Sequence, residues 1–237
     1  MLIIPLDDPL AVSVTGAIRT GDLPALRALL DGHPGLATAR VDGNGGGRSL
    51  LHLATDWPGH IPDGPATVAA LVAAGADPDA RFTGAHAETP LHWAASCDDV
   101  PMIDALLAAG ADIEAPGAVI GGGTPLADAR GFGQWRAARR LVEHGARTTL
   151  HDAAALGLTD RVAEALAAEG PDRPDAEEVE GAFWSACHGG QLATARLLHA
   201  HGAHPDRVGY DDLTPVEIAR AQEAGDVVAW LESLDPA

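Results

Sequence analysis

The run Thr89-Pro90-Leu91-His92-Trp93-Ala94-Ala95, followed by Ala105-Leu106-Leu107-Ala108-Ala109-Gly110-Ala111-Asp112, constrains the fold more than any other feature of the chain. It reads as a capped helix start and then a second apolar helix closed by glycine. The unit returns along the sequence. With Thr89 as its first position, the equivalent residues are Val12, Ser49, Thr124, Thr148, Gly181 and Thr214. Repeat two reads Ser49-Leu50-Leu51-His52-Leu53-Ala54, and repeat four reads Thr124-Pro125-Leu126-Ala127-Asp128-Ala129. A helix pair this short buries no core alone, so neighbouring units must stack and share one.

Each piece has a physical role. Pro90 suits the first helical turn, where no amide donor is needed. Thr89 caps that helix. Small alanines let neighbouring helices approach, and Gly110 ends the second helix in a left-handed conformation. On these residues the chain resembles the ankyrin repeat, whose T-P-L-H-x-A start and L-L-x-x-G-A-D end it reproduces best in repeats two to four. The resemblance implies an all-α solenoid of about seven helix-turn-helix repeats with short β-turn fingers. It also implies a non-enzymatic protein that holds a partner protein on its concave face. His52 and His92 are then structural, bonding the capping Ser or Thr and nearby backbone.

The spacing predicts a leader at 1–10 and one domain over 11–232, with a tail at 233–237. Repeats fall near 11–44, 45–84, 85–119, 120–147, 148–176, 177–209 and 210–232. Repeat one is weak: Ala17, Gly21 and Leu29-Leu30 fit, but Val12 and Thr15 do not match the motif. Repeat two is long because of Asp56 to Pro65, a Pro- and Gly-rich segment that reads as a fixed loop. The connection Gly145-Ala146-Arg147-Thr148 is too short for a finger, which predicts a gap or bend there. Pro171 to Asp175 reads as a finger, Gly43 to Gly47 as a flexible finger tip, and the helix with Asp226, Glu232 and Asp235 as a polar end cap.

The formal charge is −19, and all 15 basic residues are Arg. That field disfavours nucleic acid and anionic membranes and favours a basic protein partner. Without lysine, a Lys-dependent phosphate loop or Schiff-base chemistry is excluded. No signal peptide or membrane span is evident, and two well-separated cysteines suit a reducing cytoplasm and a monomer. Arg130, Arg136, Arg139, Arg140 and Arg147 make one local basic cluster. It reads as a solvated helix face, with docking of an acidic group as the second choice.

The ninth position down the array gives Trp57, Cys97, Phe132 and Leu156, an apolar strip where exposure is expected. Trp57, Phe132 and Leu156, with Trp93 and Tyr210, supply the partner-binding surface, and Asp56, His86 and Glu88 supply its polar rim. Asp128 and Asp152 stand at the fifth position, where an apolar residue is usual. An alternative is therefore an unusual enzyme or small-molecule pocket closed by the 56–65 loop, using Asp128, Asp152 and His188. His199, His201 and His204 have a spacing that metals accept, but the turn of the repeat runs through them, so no metal or cofactor is expected. Cys97 with His86 and Cys187 with His188 lack a nucleophile signature.

Overall fold

The computed structural model describes residues 2–43 and 45–234. Asp235, counted in the end cap above, and the rest of the 235–237 tail lie outside them, as does Asn44 in the Gly43–Gly47 finger. Fourteen α-helices follow one another as pairs among these residues. The chain divides into two compact units, at Ala146 and Arg147.

The first unit holds α1 (Pro9–Thr20), α2 (Leu23–Gly32), α3 (Leu50–Thr55), α4 (Gly64–Ala73), α5 (Pro90–Ser96), α6 (Val100–Ala108), α7 (Pro125–Gly131) and α8 (Trp135–Glu143). First helices pack on first helices, α1 on α3, α3 on α5 and α5 on α7. Second helices form a parallel layer through α2, α4, α6 and α8. Ala54, Ala94, Ala95 and Ala129 have no exposed surface, so close helix approach rests on small residues. Leu26, Leu51, Leu71, Leu91, Ile103, Leu106 and Leu141 fill the space between the layers.

A small sheet accompanies the helices. Strands β2 (Arg40–Gly43) and β3 (Gly46–Ser49) form an antiparallel hairpin, the finger of repeat two. The leader is not a free lead-in, because β1 (Ile3–Pro5) adds in parallel to β2. Asp8 then caps α1 through the Leu10 amide, so that helix starts before Val12. Fingers are tied in series by arginine. The Arg40 guanidinium donates to the Arg81 carbonyl, and the Arg81 guanidinium donates to the Pro116 carbonyl.

The second unit holds α9 (Leu150–Ala155), α10 (Thr159–Ala167), α11 (Ala176–His188), α12 (Leu192–Ala200), α13 (Pro215–Ala221) and α14 (Gly225–Ser233). Here α11 packs on α9 and α13, while α12 packs on α10 and α14. Phe183, Cys187, Leu198, Ala219 and Val227 are its fully buried centre. Two starts differ from the motif register. Thr149, not Thr148, caps α9. Asp175, not Gly181, caps α11, which lengthens that helix and places Glu177, Glu178 and Glu180 on it rather than on a finger.

The caps explain the helices. Ser49 Oγ accepts from the His52 amide at 3.3 Å, while the Ser49 amide donates back to His52 Nδ1 at 3.3 Å. Thr89 and His92 repeat the arrangement, and Thr149–Asp152, Asp175–Glu178 and Thr214–Glu217 build it with carboxylates. Second helices end on glycine where a left-handed residue is needed, as at Gly110 with φ of 92°. Replacing Ser49 by Ala removes the acceptor and should cost about 1 kcal/mol of unfolding free energy. Chemical denaturation of the wild type and Ser49→Ala at neutral pH measures this difference.

Candidate functional site

Glu88 ends the finger before α5 and is 4% exposed. Its Oε2 accepts the Trp93 Nε1–H at 2.9 Å and lies 2.6 Å from His86 Nδ1. His86 stacks on Phe82, with ring centroids 4.7 Å apart. Trp93 is wedged edge-on to His52 at 4.9 Å, with Phe82 at 5.6 Å and the Arg48 guanidinium at 5.7 Å from its ring. His52 Nε2 bonds the Glu88 carbonyl at 3.1 Å and so fixes the backbone of this acid.

Glu88, His86 and Trp93 form one wall of a groove of about 440 Å³ in the first unit. Trp57, Asp56, Cys97, Val119 and Phe132 complete the apolar and acidic lining, with Thr55, Ser96 and Gln134 as neutral polar groups. Trp57 is 81% exposed and Phe132 49% exposed, so the rim carries two large rings facing water. Six residues singled out from the sequence therefore meet here: Trp57, Trp93, Phe132, Asp56, His86 and Glu88.

Leu156 does not join the exposed strip, because it is buried at 8% exposure. Counted from Thr149, the residue that caps α9, Leu156 falls at the eighth position and not the ninth. Tyr210 belongs to the second unit and is exposed, with its ring edge-on to Trp184 at 5.4 Å. It lines a separate cleft of about 410 Å³ with Trp184 and Glu177. Val119 and Gln134 were missed in the sequence. Val119 carried a weak signal as an apolar residue on a finger, and Gln134 carried none.

The 56–65 loop is fastened down instead of hinging over the groove. The His60 amide donates to Asp99 Oδ2 at 2.6 Å, and His60 Nε2 contacts the Cys97 carbonyl at 3.1 Å. Gly59 faces Cys97 so closely that an added Cβ would sit 2.8 Å from its Cβ. On the other side Arg19 reaches Asp56 at 3.5 Å.

The alternative pocket residues have structural work. Asp128 is fully buried, and its Oδ1 accepts the Ile120 amide at 3.2 Å. Asp152 sits at the fourth position of the corrected register, where its Oδ2 takes the Thr149 amide at 2.9 Å and hydroxyl at 2.7 Å. His188 is buried, 5.2 Å from the Trp184 ring. Neither thiol is primed: burial pushes Cys97 up to about 11 and Cys187 up to about 12. His199 and His201 bond the Ala203 and Leu197 carbonyls, and His204 bonds Glu180, so each imidazole of that run has its own protein partner. Among the described residues no group of His, Cys, Asp or Glu is placed to hold a metal.

The basic cluster also resolves into pairs. Arg140 grips Asp104 on α6 with two hydrogen bonds, at 2.6 and 3.1 Å, and Arg136 lies 3.8 Å from Asp98. Arg140 and His144 hold the Asp104 carboxyl below its ordinary range.

A family model described as Ankyrin repeat matches residues 87–118, from the Glu88 finger through α5 and α6. Over that segment the chain is similar to the ankyrin repeat family. A search of curated proteins returned no match. No helix among the described residues is long and apolar enough to cross a membrane.

Burial, and then the adjacent Glu88 carboxylate, push the Asp128 carboxyl well above its ordinary value. The folded state therefore holds this proton at pH values where the unfolded chain releases it. Stability from this group is present at low pH and falls as pH rises from about 4 toward the raised value. Asp128→Asn keeps the acceptor for Ile120 and removes the ionisation. The variant should melt higher than wild type by a margin that grows between pH 5 and pH 8, reaching about 1 kcal/mol or more. Thermal melts across that range check the sign.

Proposed function

We propose that this protein is a non-enzymatic ankyrin-repeat interaction module that docks a partner protein on the layer of first helices and fingers. Its helix pairs are read as seven stacked repeats, the partner lies on their concave face, and the setting is the cytoplasm. The observation that carries the reading is the groove with Trp57 and Phe132 exposed on its rim. Large aromatic rings facing solvent beside a few polar groups are the usual energetic centre of a protein contact. The Trp57 loop is held by hydrogen bonds at Asp99 and Cys97, so little ordering cost remains for a partner to meet.

Trp57, Phe132 and Trp93 are the apolar anchors in this reading, with Asp56, His86 and Glu88 as polar rim. Tyr210 is an exposed aromatic of the second unit by itself, while Leu156 is buried and takes no part. A pocket enzyme has less support, because the loop meant to close it is pinned and Asp152 is used in a cap.

Trp57→Ala with Phe132→Ala removes both rim rings from exposed positions and should leave the melting temperature nearly unchanged. With an isolated partner, titration calorimetry should show affinity reduced at least about tenfold. Unchanged affinity would reject the groove as the docking face.

A further inference from the structure

Resting on that reading, we infer that the groove receives an arginine side chain of the partner, with its guanidinium set against Glu88 and beside the Trp57 and Phe132 rings. The lining holds two acids, Asp56 and Glu88, and no arginine. Asp56 already draws a guanidinium, that of Arg19, at the outer edge. Glu88 offers the better seat. Trp93 Nε1–H and His86 both meet its Oε2 and fix the carboxylate in the groove wall.

Behind Glu88 stands a second carboxylate. Asp128 Oδ2 is fully buried and has no hydrogen-bond partner among the described residues. Burial and then Glu88 push the Asp128 carboxyl up to about 8, so the negative charge that meets a ligand near neutral pH is that of Glu88 and Asp56. Arg130, two residues from Asp128, favours its charged form.

Guanidinium fits better than ammonium for two reasons. It is planar and weakly hydrated, so it lies on aromatic faces, and it offers several N–H groups to one carboxylate. The protein itself shows the preference, since Arg48 lies 5.7 Å over the Trp93 ring.

The test is selection from a random dodecapeptide library displayed on phage. The full chain is the bait, with counter-selection against the Trp57→Ala, Phe132→Ala variant. The inference expects an enriched arginine position. A synthetic form of the selected peptide should weaken at least tenfold when that arginine is replaced by neutral citrulline. Glu88→Gln should weaken the arginine peptide by a similar factor and leave the citrulline peptide unchanged. Retention of the Trp93 indole N–H resonance in the variant shows that the fold is intact. Selected peptides without a basic position, or indifferent to citrulline, overturn the inference and leave the groove reading standing. A library that yields no peptide dependent on Trp57 and Phe132 overturns both.

Discussion

The structure of the groove depends on one neutral imidazole, His52. Ser49 donates its amide to His52 Nδ1, so the ring proton sits on Nε2 and is donated to the Glu88 carbonyl. One side chain thus caps its own helix and fastens the next finger. Burial lowers its pKa to about 3, because an imidazolium there would lose water and could no longer accept the amide. His92 does the same toward the Gly123 carbonyl at 3.4 Å, with its pKa lowered to about 4. Both rings therefore keep the bridge through the neutral range.

Where a carboxylate takes the histidine's place, the cap survives and the bridge is lost. Asp152, Glu178 and Glu217 accept the cap amide, but an ionised carboxylate has no proton to donate onward. In repeat four the position is Ala127, and the neighbouring Asp128 secures the finger by accepting from Ile120. That substitute places a second acid beside Glu88, and burial together with this neighbour raises the Asp128 pKa.

The helices were legible because their signals are local. A capping residue, a proline in the first turn, alanines at contact positions and a closing glycine each act within a few residues. The groove was legible in part for the same reason, since an apolar residue at the ninth position of a regular repeat faces outward at Trp57 and Phe132. Leu156 failed where the connection from Gly145 to Thr148 shortened the start of α9, and a pattern counted from Thr148 placed Asp152 one position late. Glu177, Glu178 and Glu180 were misplaced because Asp175 captured the helix start two turns before Gly181. The arginine cluster looked unopposed because Asp98 and Asp104, its partners, stand nearly forty residues away in sequence. Adjacency between layers is not written in local composition.

The central claim is that a neutral His52 holds the Glu88 finger in place. The direct measurement is a ring-nitrogen NMR spectrum of selectively 15N-histidine-labelled protein, followed from pH 8 down to the onset of acid unfolding. The account expects the His52 ring to stay neutral with its proton on Nε2 throughout, with a hydrogen-bond coupling from that nitrogen to the Glu88 carbonyl. A His52 ring that titrates near 6.5, or one that carries its proton on Nδ1, would contradict it.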